Sequence, residues 1–183
     1  DLLELSRIEF ADDLFIDETR VGDIVEDALG RFRAAADARG ITLKSVGESG
    51  IVVAGDRRQI TSALGNLIDN AVKYSPDGAT VTVSARVNPS GLALSVADTG
   101  DGIPSRDLDR VFERFYRVDR ARSRETGGTG LGLAIVRHVA HNHGGEVSVR
   151  SKEGQGSEFT LVLPLGTDVV EPESPVDDSE VSA

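Results

Sequence analysis

The sequence predicts an α+β fold in which about three helices cover one mixed β-sheet in a two-layer sandwich. Two observations lead to this prediction. Apolar residues recur at helical spacing in the long segments, whereas short segments rich in valine, leucine and threonine have the character of strands. Along the chain the order is helix, strands, helix, hairpin, a long insert, helix and hairpin. This order is typical of an α+β sandwich with a single sheet.

Residues 1–10 are predicted to be the end of a helix. Their apolar side chains recur at three-residue spacing, at Leu2, Leu5 and Ile8. A short N-terminal helix of a complete domain would explain the same pattern. A helix is also predicted over residues 21–39, because its apolar residues share one face and Gly40 follows as a stop signal. Two strands, residues 41–46 and 51–55, come next around a turn of glycine and serine.

The helix predicted over residues 60–72 combines a core face with a polar stripe, and Asp56 is predicted to cap it. Asn66 and Asn70 are four residues apart, and Lys73 continues the same side. Asparagine is a poor helix former because its side chain competes for backbone hydrogen bonds. A solvated polar face is one interpretation of the stripe. The other is oxygen ligands for a hard cation, with Lys73 as a positive charge for phosphate.

Two hairpins complete the predicted sheet. Residues 80–87 and 92–98 flank an Asn-Pro-Ser-Gly turn, and residues 146–151 and 157–164 flank a turn that contains two glycines. Beyond them, residues 166–183 hold six acidic side chains and no basic one. This composition predicts a disordered acidic tail.

Composition restricts the classes of function. A chain of 183 residues with 39% hydrophobic content can form one domain with a sizeable core. Its formal net charge of -11 argues against nucleic acid as the main partner. The absence of cysteine excludes disulfides and zinc sites of the cysteine type. No apolar run approaches the ~20 residues of a membrane span, so no direct membrane contact is expected for this fragment.

Asp98 follows a hydrophobic strand and begins the second motif. Gly100 and Gly102 allow the backbone to turn tightly and to approach a ligand closely. An acidic turn is the simplest interpretation, and the spacing of a calcium-binding loop is absent. The functional interpretation is a carboxylate that accepts a hydrogen bond from an adenine amino group.

A glycine cluster, residues 127–133, precedes the third long helix and forms another motif. Glycines before a helix expose N–H groups and the positive end of the helix dipole to an anion. Dinucleotide-binding and P-loop patterns do not fit, because no strand precedes the cluster and no Gly-Lys-Ser/Thr ending follows.

The long insert between the two glycine clusters is rich in arginine. Residues 110–124 contain six arginines, which predicts an anionic partner and a mobile lid. Phe112, Phe115 and Tyr116 are expected to dock this segment on the core. An exposed helix with charge pairs is the alternative for its first half.

The motifs N-x-x-x-N-A-x-K-x-S-P, D-x-G-x-G-I, F-E-R-F-Y-R and G-x-G-L-G-L follow one another in the chain. In this order they resemble the N, G1, F and G2 boxes of sensor histidine kinases of two-component systems, and every box is intact. The resemblance covers about residues 2–165 and implies a Bergerat-type (GHKL) ATP-binding fold. With seventeen arginines to three lysines, the chain also resembles phosphate-responsive sensor kinases of actinobacteria.

The resemblance implies a role for each matching residue. Asn70 is expected to hold Mg²⁺ against the triphosphate of ATP with Asn66 beside it, and Lys73 to contact phosphate. Tyr74 is expected to border the adenine, and Asp98 to recognise its amino group. The arginines expected to reach the γ-phosphate are Arg114 and Arg117. The remaining residues implied in nucleotide binding are Gly100, Gly102, Ile103, Gly128, Thr129, Gly130, Leu131, Gly132 and Leu133.

The implied activity is transfer of the ATP γ-phosphate to a histidine on a dimerisation hairpin, for relay to a response regulator. Gyrase-like and chaperone ATPases share the fold, but are expected to carry glutamate in place of Asn66. The carboxamide of Asn66 cannot accept a proton from water. The alternative is a GHKL-fold ATPase, or a nucleotide-binding regulatory module without phosphotransfer.

The acceptor histidine is expected to lie on a helix upstream of this sequence. The histidines present are His138, His141 and His143, all in the helix after the glycine cluster, where packing or solvation explains them. Residues 1–14 are therefore interpreted as the end of the hairpin and a linker, and residues 15–165 as the ATP-binding domain. The resemblance implies the cytoplasmic part of a membrane-anchored kinase.

Overall fold

The computed structural model describes residues 14–47, 50–118 and 128–165. Its helices are α1 (Val21–Asp37), α2 (Arg57–Tyr74) and α3 (Gly132–Asn142), and a short 3₁₀ turn covers Ser105–Asp107. Its strands are β1 (Asp17–Arg20), β2 (Thr42–Gly47), β3 (Val52–Gly55), β4 (Thr80–Asn88), β5 (Gly91–Ala97), β6 (Glu146–Ser151) and β7 (Ser157–Leu163). The predictions for residues 1–10, for the arginine-rich segment after residue 118 and for the acidic tail lie outside the described residues.

Three helices pack on a mixed five-stranded sheet, which confirms the predicted α+β sandwich. The strand order is β2-β4-β5-β7-β6, with β2 and β4 parallel and the other pairs antiparallel. Parallel neighbours need a long crossover, and the chain between β2 and β4 supplies it with β3 and α2. None of the described helices has both the length and the apolar character needed to cross a membrane.

The core lies between the sheet and the helices because alternate strand residues are apolar. In β4 the buried residues Val81, Val83 and Ala85 alternate with partly exposed Thr80, Thr82 and Ser84. This period of two gives the sheet one core face and one polar face. Strands β5 and β7 add further core residues, which are Leu92, Leu94, Val96, Phe159, Leu161 and Leu163.

Helix α2 is the central helix of the layer and contacts both α1 and α3. It begins where predicted, since the Asp56 side chain accepts hydrogen bonds from the N–H groups of Arg58 (2.9 Å) and Gln59 (3.3 Å). Such a cap satisfies backbone donors that have no partner within the helix. The predicted stop after α1 is also confirmed, because Gly40 has φ 63° there.

The structure contains a two-stranded sheet that the sequence did not predict. Strands β1 and β3 pair antiparallel, so β3 does not lie beside β2 but in a separate sheet. Only Thr19 is buried among the four residues of β1. A strand this short, with three charged residues, lacks the apolar alternation from which strands are recognised.

Candidate nucleotide-binding site

A cavity of about 610 Å³ opens between the second half of α2, the end of β5 and the glycine-rich segment before α3. The three sequence motifs on these elements therefore meet, although they are far apart in the chain. The predicted site residues that line the cavity are Asn66, Asn70, Lys73, Tyr74, Asp98, Gly102, Ile103, Arg117, Gly128, Thr129, Gly130, Gly132 and Leu133.

Asn66 lies where α2 meets the start of α3. Its Nδ2 donates to the Ser62 carbonyl oxygen at 3.0 Å, which orients the carboxamide along its own helix. Its Oδ1 would lie 2.8 Å from a Cβ atom on Gly132. Glycine at residue 132 thus allows α3 to begin against Asn66.

Lys73 forms an ion pair with Asp69, one turn earlier on α2. Both side chains are one-third exposed and both residues line the cavity. The sequence leaves Asp69 unassigned, as a possible support behind the ligand-binding residues. In the structure it is the partner that holds the Lys73 ammonium group at the cavity wall. An ammonium group held this way can still donate to a phosphate oxygen, because it carries three N–H donors.

Asp98 is held by backbone donors on two sides. Its Oδ1 accepts hydrogen bonds from the N–H groups of Gly100 (2.8 Å) and Ser157 (3.3 Å). Burial raises the pKa of the carboxyl group above its ordinary value of 3.8; these two hydrogen bonds oppose that rise, and nearby Asp101 adds to it. Both hydrogen bonds fix Oδ1, so Oδ2 is the oxygen available to a ligand.

The turn between β6 and β7 was predicted, but its support of Asp98 was not. The Asp98 N–H donates to the Ser157 carbonyl oxygen at 2.8 Å, and the Gly154 N–H donates to that of Asp101 at 2.6 Å. Ser151 Oγ accepts from the Ile103 N–H at 2.8 Å. Glu153 and Ser157 line the cavity. Pairing of β7 with β5 brings Ser157 to Asp98, and no local pattern in the sequence indicates that contact.

Gly100 shapes the site from outside the cavity lining. A Cβ atom there would lie 2.3 Å from the Tyr74 carbonyl oxygen, so the glycine permits the turn after β5 to approach the end of α2 closely. Half-exposed Tyr74 then lines the cavity beside this contact.

Arg39 holds the end of α2 and was not predicted as a site residue. Its guanidinium group donates to the carbonyl oxygens of Val72 and Ser75, and Nε donates to Asp77 at 2.9 Å. These contacts satisfy carbonyl groups that the last turn of a helix leaves without partners. Arg39 also lines the cavity, adjacent to the residues that follow Tyr74.

The glycine-rich segment leads into an uncapped helix start. In the described residues no side chain caps the N-terminus of α3, where Leu131 holds the cap position. The N–H groups of its first turn are therefore suited to an anion in the cavity. Leu131 itself does not line the cavity, because its side chain is 1% exposed and packs in the core. The predicted contact of Leu131 with a ligand is thus limited to its backbone.

The start of the arginine-rich segment forms turns instead of the helix considered as an alternative. Phe112 docks on the core as predicted, edge-on to Phe159 at 6.2 Å between ring centroids. The prediction for Phe115 is wrong, since its side chain is 59% exposed. Arg117 lines the cavity and its Nη2 would lie 3.6 Å from a Cβ atom on Gly128, whereas Arg114 is exposed outside the lining.

Comparison with known proteins identifies the family. Residues 55–167 match the family described as histidine kinase-, DNA gyrase B-, and HSP90-like ATPase. The chain belongs to this family. It is 46% identical over 181 residues to the sensor-like histidine kinase SenX3 of Mycolicibacterium smegmatis, covering 98% of this chain and 46% of SenX3. With the sensor histidine kinase WalK of Bacillus subtilis the identity is 41%, over 90% of this chain and 27% of WalK.

Solved structures of this family place the chain among sensor histidine kinases. The mycobacterial sensor histidine kinase MprB is 31% identical, with a TM-score of 0.71 over 82% of this chain and 97% of that one. Full-length ShkA in complex with AMPPNP is 29% identical, with a TM-score of 0.78 over 91% of this chain and 35% of ShkA. The chain is thus an ATP-binding catalytic domain of the sensor histidine kinase type, and it spans less than half the length of SenX3 and WalK.

Proposed function

We propose that this domain binds Mg-ATP in the cavity and donates the γ-phosphate to a histidine of a separate dimerisation hairpin. The observation that carries the proposal is the convergence of Asn70, Lys73 and Asp98 with the start of α3 on one cavity. The cavity would thus combine a hydrogen-bond acceptor for an adenine amino group with hydrogen-bond donors for phosphate. Residues 1–14 would end the hairpin and its linker, and residues 15–165 would form the ATP-binding domain.

The chemistry of the donor set fits a single Mg²⁺ bound together with a nucleotide. In the described part of the chain no cluster of three His, Asp or Glu side chains could hold a metal alone. Mg²⁺ commonly takes one or two protein oxygens and completes its shell with phosphates and water. The carboxamide oxygen of Asn70 at the cavity wall is suited to that role. When bound, the ion would neutralise charge on the phosphates.

The protein's own groups would orient the nucleotide at both ends. Asp98 Oδ2 would accept a hydrogen bond from the adenine amino group, with Tyr74 along the base. Lys73 and the N–H groups at the start of α3 would neutralise the phosphates, and Arg117 would lie above the glycine segment. Catalysis in phosphoryl transfer depends mainly on such positioning and charge stabilisation.

The acceptor histidine would come from outside the cavity. The chain has three histidines, all within the described residues, and none of them lines the cavity. His143 instead joins α3 to the start of α2, because Nε2 accepts from the Asp56 N–H at 3.0 Å and Nδ1 lies 2.8 Å from the Val139 carbonyl oxygen. A nitrogen lone pair of the incoming imidazole would form the N–P bond as the bond from the γ-phosphorus to the β,γ-bridging oxygen breaks, and ADP would leave.

Asn66, where related ATPases are expected to carry a glutamate, cannot activate water. Asn66 stands at the α2–α3 contact with its Nδ2 already donating, and a carboxamide cannot take up a proton. A neutral imidazole nitrogen needs no base, whereas water does. This difference favours transfer over the alternative of a GHKL-fold ATPase.

The wider signalling role rests on relatives. The phosphate regulon sensor protein PhoR of Pseudomonas aeruginosa is 47% identical over 106 residues, 58% of this chain and 24% of PhoR. Its name supports a phosphate-responsive kinase, and the names of SenX3 and WalK support a sensor histidine kinase. The domain would then belong to the cytoplasmic part of such a kinase, which passes its phosphoryl group to a response regulator.

Titration of the domain with ATP, with and without Mg²⁺, tests the binding step. We expect binding that depends on Mg²⁺, and a loss of roughly tenfold or more in affinity for Asn70→Ala, because the variant removes a metal ligand. Asn88→Ala is the matched control, since Asn88 is exposed in the β4–β5 hairpin. Equal affinity of Asn70→Ala and the parent, with the fold intact by circular dichroism, would remove the metal assignment.

A further inference from the structure

Asp107 is a buried acid outside the cavity that the proposed reaction leaves without a role. Its side chain is 9% exposed. Oδ1 accepts a hydrogen bond from the Tyr116 hydroxyl group at 2.7 Å, and Oδ2 has no hydrogen-bond partner among the described residues. Arg106 Nε forms a long ion pair with Oδ2 at 3.6 Å, beyond hydrogen-bond distance, from a side chain that is 82% exposed. Burying a carboxylate costs free energy, most of all where one oxygen lacks a hydrogen bond. Its hydrogen bond to Tyr116 therefore calls for a functional explanation.

Tyr116 is held by this contact and by a cation on its ring. The Arg110 guanidinium carbon lies 4.2 Å from the ring centroid, and Arg110 is itself paired with Glu113 through Nε (3.3 Å) and Nη2 (3.2 Å). The hydrogen bond to Asp107 raises the pKa of the Tyr116 phenol, so the hydroxyl group remains a donor. Tyr116 also lines the nucleotide cavity.

Phe115, next to Tyr116, has an unusual backbone conformation. Its φ is 61°, in the left-handed region that side chains with a Cβ atom rarely adopt. The exposed side chain does not hold it there, but the backbone does, because the Phe115 N–H donates to the Gly130 carbonyl oxygen at 2.9 Å. Such a conformation persists where neighbouring contacts determine it on both sides. Gly130 lies on one side, and the anchored ring of Tyr116 on the other.

Arg117 leaves this turn toward the glycine-rich segment, where its Nη2 approaches Gly128. We propose that Asp107 is a positioning residue of the nucleotide site: its hydrogen bond to Tyr116 fixes the left-handed turn at Phe115, and the turn directs Arg117 to the phosphate end of the cavity. This inference rests on the proposed function, because it assumes that the cavity takes ATP and that Arg117 reaches the γ-phosphate.

The test compares affinities for Mg-ATP and Mg-ADP by calorimetry in the whole chain. Tyr116→Phe removes only the hydroxyl group, and Asp107→Asn removes only the charge. We expect Tyr116→Phe to lower the affinity for ATP roughly tenfold and that for ADP by less than about twofold. Asp107→Asn should cause a smaller loss of the same kind, and none in the Tyr116→Phe background, because the two act through one contact. Asp109→Asn, an exposed acid two residues away, is the matched control.

Arg117→Ala distinguishes positioning from a general structural role. It should abolish the preference for ATP over ADP, and adding Tyr116→Phe should change nothing further. Equal losses for ATP and ADP together with a lower melting temperature would overturn the inference, as would an unchanged ATP preference in Tyr116→Phe. A parent chain that binds neither nucleotide would reject the proposed function itself. A parent chain that binds ATP and ADP equally would overturn this inference, because Arg117 would then not reach the γ-phosphate, but it would leave nucleotide binding in the cavity intact.

Discussion

Burial raises the pKa of Asp98 above its ordinary value of 3.8, so this residue lowers the stability of the domain at neutral pH. The folded protein holds the proton more tightly than the unfolded chain does. The cost of ionisation is therefore absent below the ordinary pKa and grows as the pH rises through the folded pKa. Residues retained at a cost to stability are common in binding sites. Here the carboxylate is held for a ligand by the N–H groups of Gly100 and Ser157.

The variant Asp98→Asn separates the contribution of the carboxylate to nucleotide binding from its cost to the stability of the domain. The variant keeps an oxygen for both N–H donors but turns an amino group toward the adenine amino group. We expect the free energy of ATP binding to weaken by about 1–3 kcal/mol. The free energy of unfolding at neutral pH should rise relative to the parent. That gain should shrink as the pH falls through the raised folded-state pKa, and it should be absent below the ordinary pKa of 3.8.

Calorimetric titration and denaturation at several pH values would measure both quantities, with Asp109→Asn as the control for loss of an exposed charge. A variant that is less stable than the parent at neutral pH, or a parent that binds GTP as tightly as ATP, would contradict this account of Asp98.

Among the elements, the β6–β7 turn supports Asp98 from behind, through the hydrogen bonds of Ser157. Gly156 packs so closely on β5 that a Cβ atom would lie 2.0 Å from the Asp98 carbonyl oxygen. At Gly154, in the same turn, an added Cβ atom would have no neighbouring atom within 4 Å. Both have positive φ, 89° and 75° respectively. The pair therefore separates the cost of backbone conformation from the cost of close packing.

Gly154→Ala should lower the free energy of unfolding by about 1–2 kcal/mol, the cost of a left-handed non-glycine residue. Gly156→Ala carries the same cost plus a clash, and we expect a loss of roughly 2–4 kcal/mol. Only Gly156→Ala should weaken ATP binding, because only it displaces Asp98. Denaturant titration and calorimetry would measure these effects. Equal losses of stability and affinity in the two variants would show that the turn does not support the site.

Local signals explain what the sequence could predict. Helix α2 was predicted with its cap because apolar periodicity and the position of Asp56 are properties of neighbouring residues. The pairing of β1 with β3 was not predicted, because a four-residue strand with one buried side chain shows no apolar periodicity. Arg39 was missed because it meets Ser75 only after α1 has packed on α2. Ser157 was missed for the same kind of reason, as sheet pairing brings it to Asp98.

In the molecule as a whole, the proposed phosphoryl donor site has no histidine in its lining. The four motifs supply donors, acceptors and a helix start around one cavity, while the histidines of the chain lie elsewhere in the described structure. A hairpin supplied separately lacks the effective concentration that a linker provides. Transfer in such a mixture should therefore be slow and depend on concentration.

Phosphoryl transfer from this domain can be measured by incubating it with Mg-ATP labelled at the γ-phosphate, with and without the phosphoacceptor hairpin of the same kinase. We expect no label on the domain alone, and acid-labile label on the hairpin at a rate that rises with hairpin concentration. Asn70→Ala should abolish the signal and Asn88→Ala should preserve it. ATP hydrolysis without label on the hairpin, or label on His138, His141 or His143, would contradict the account.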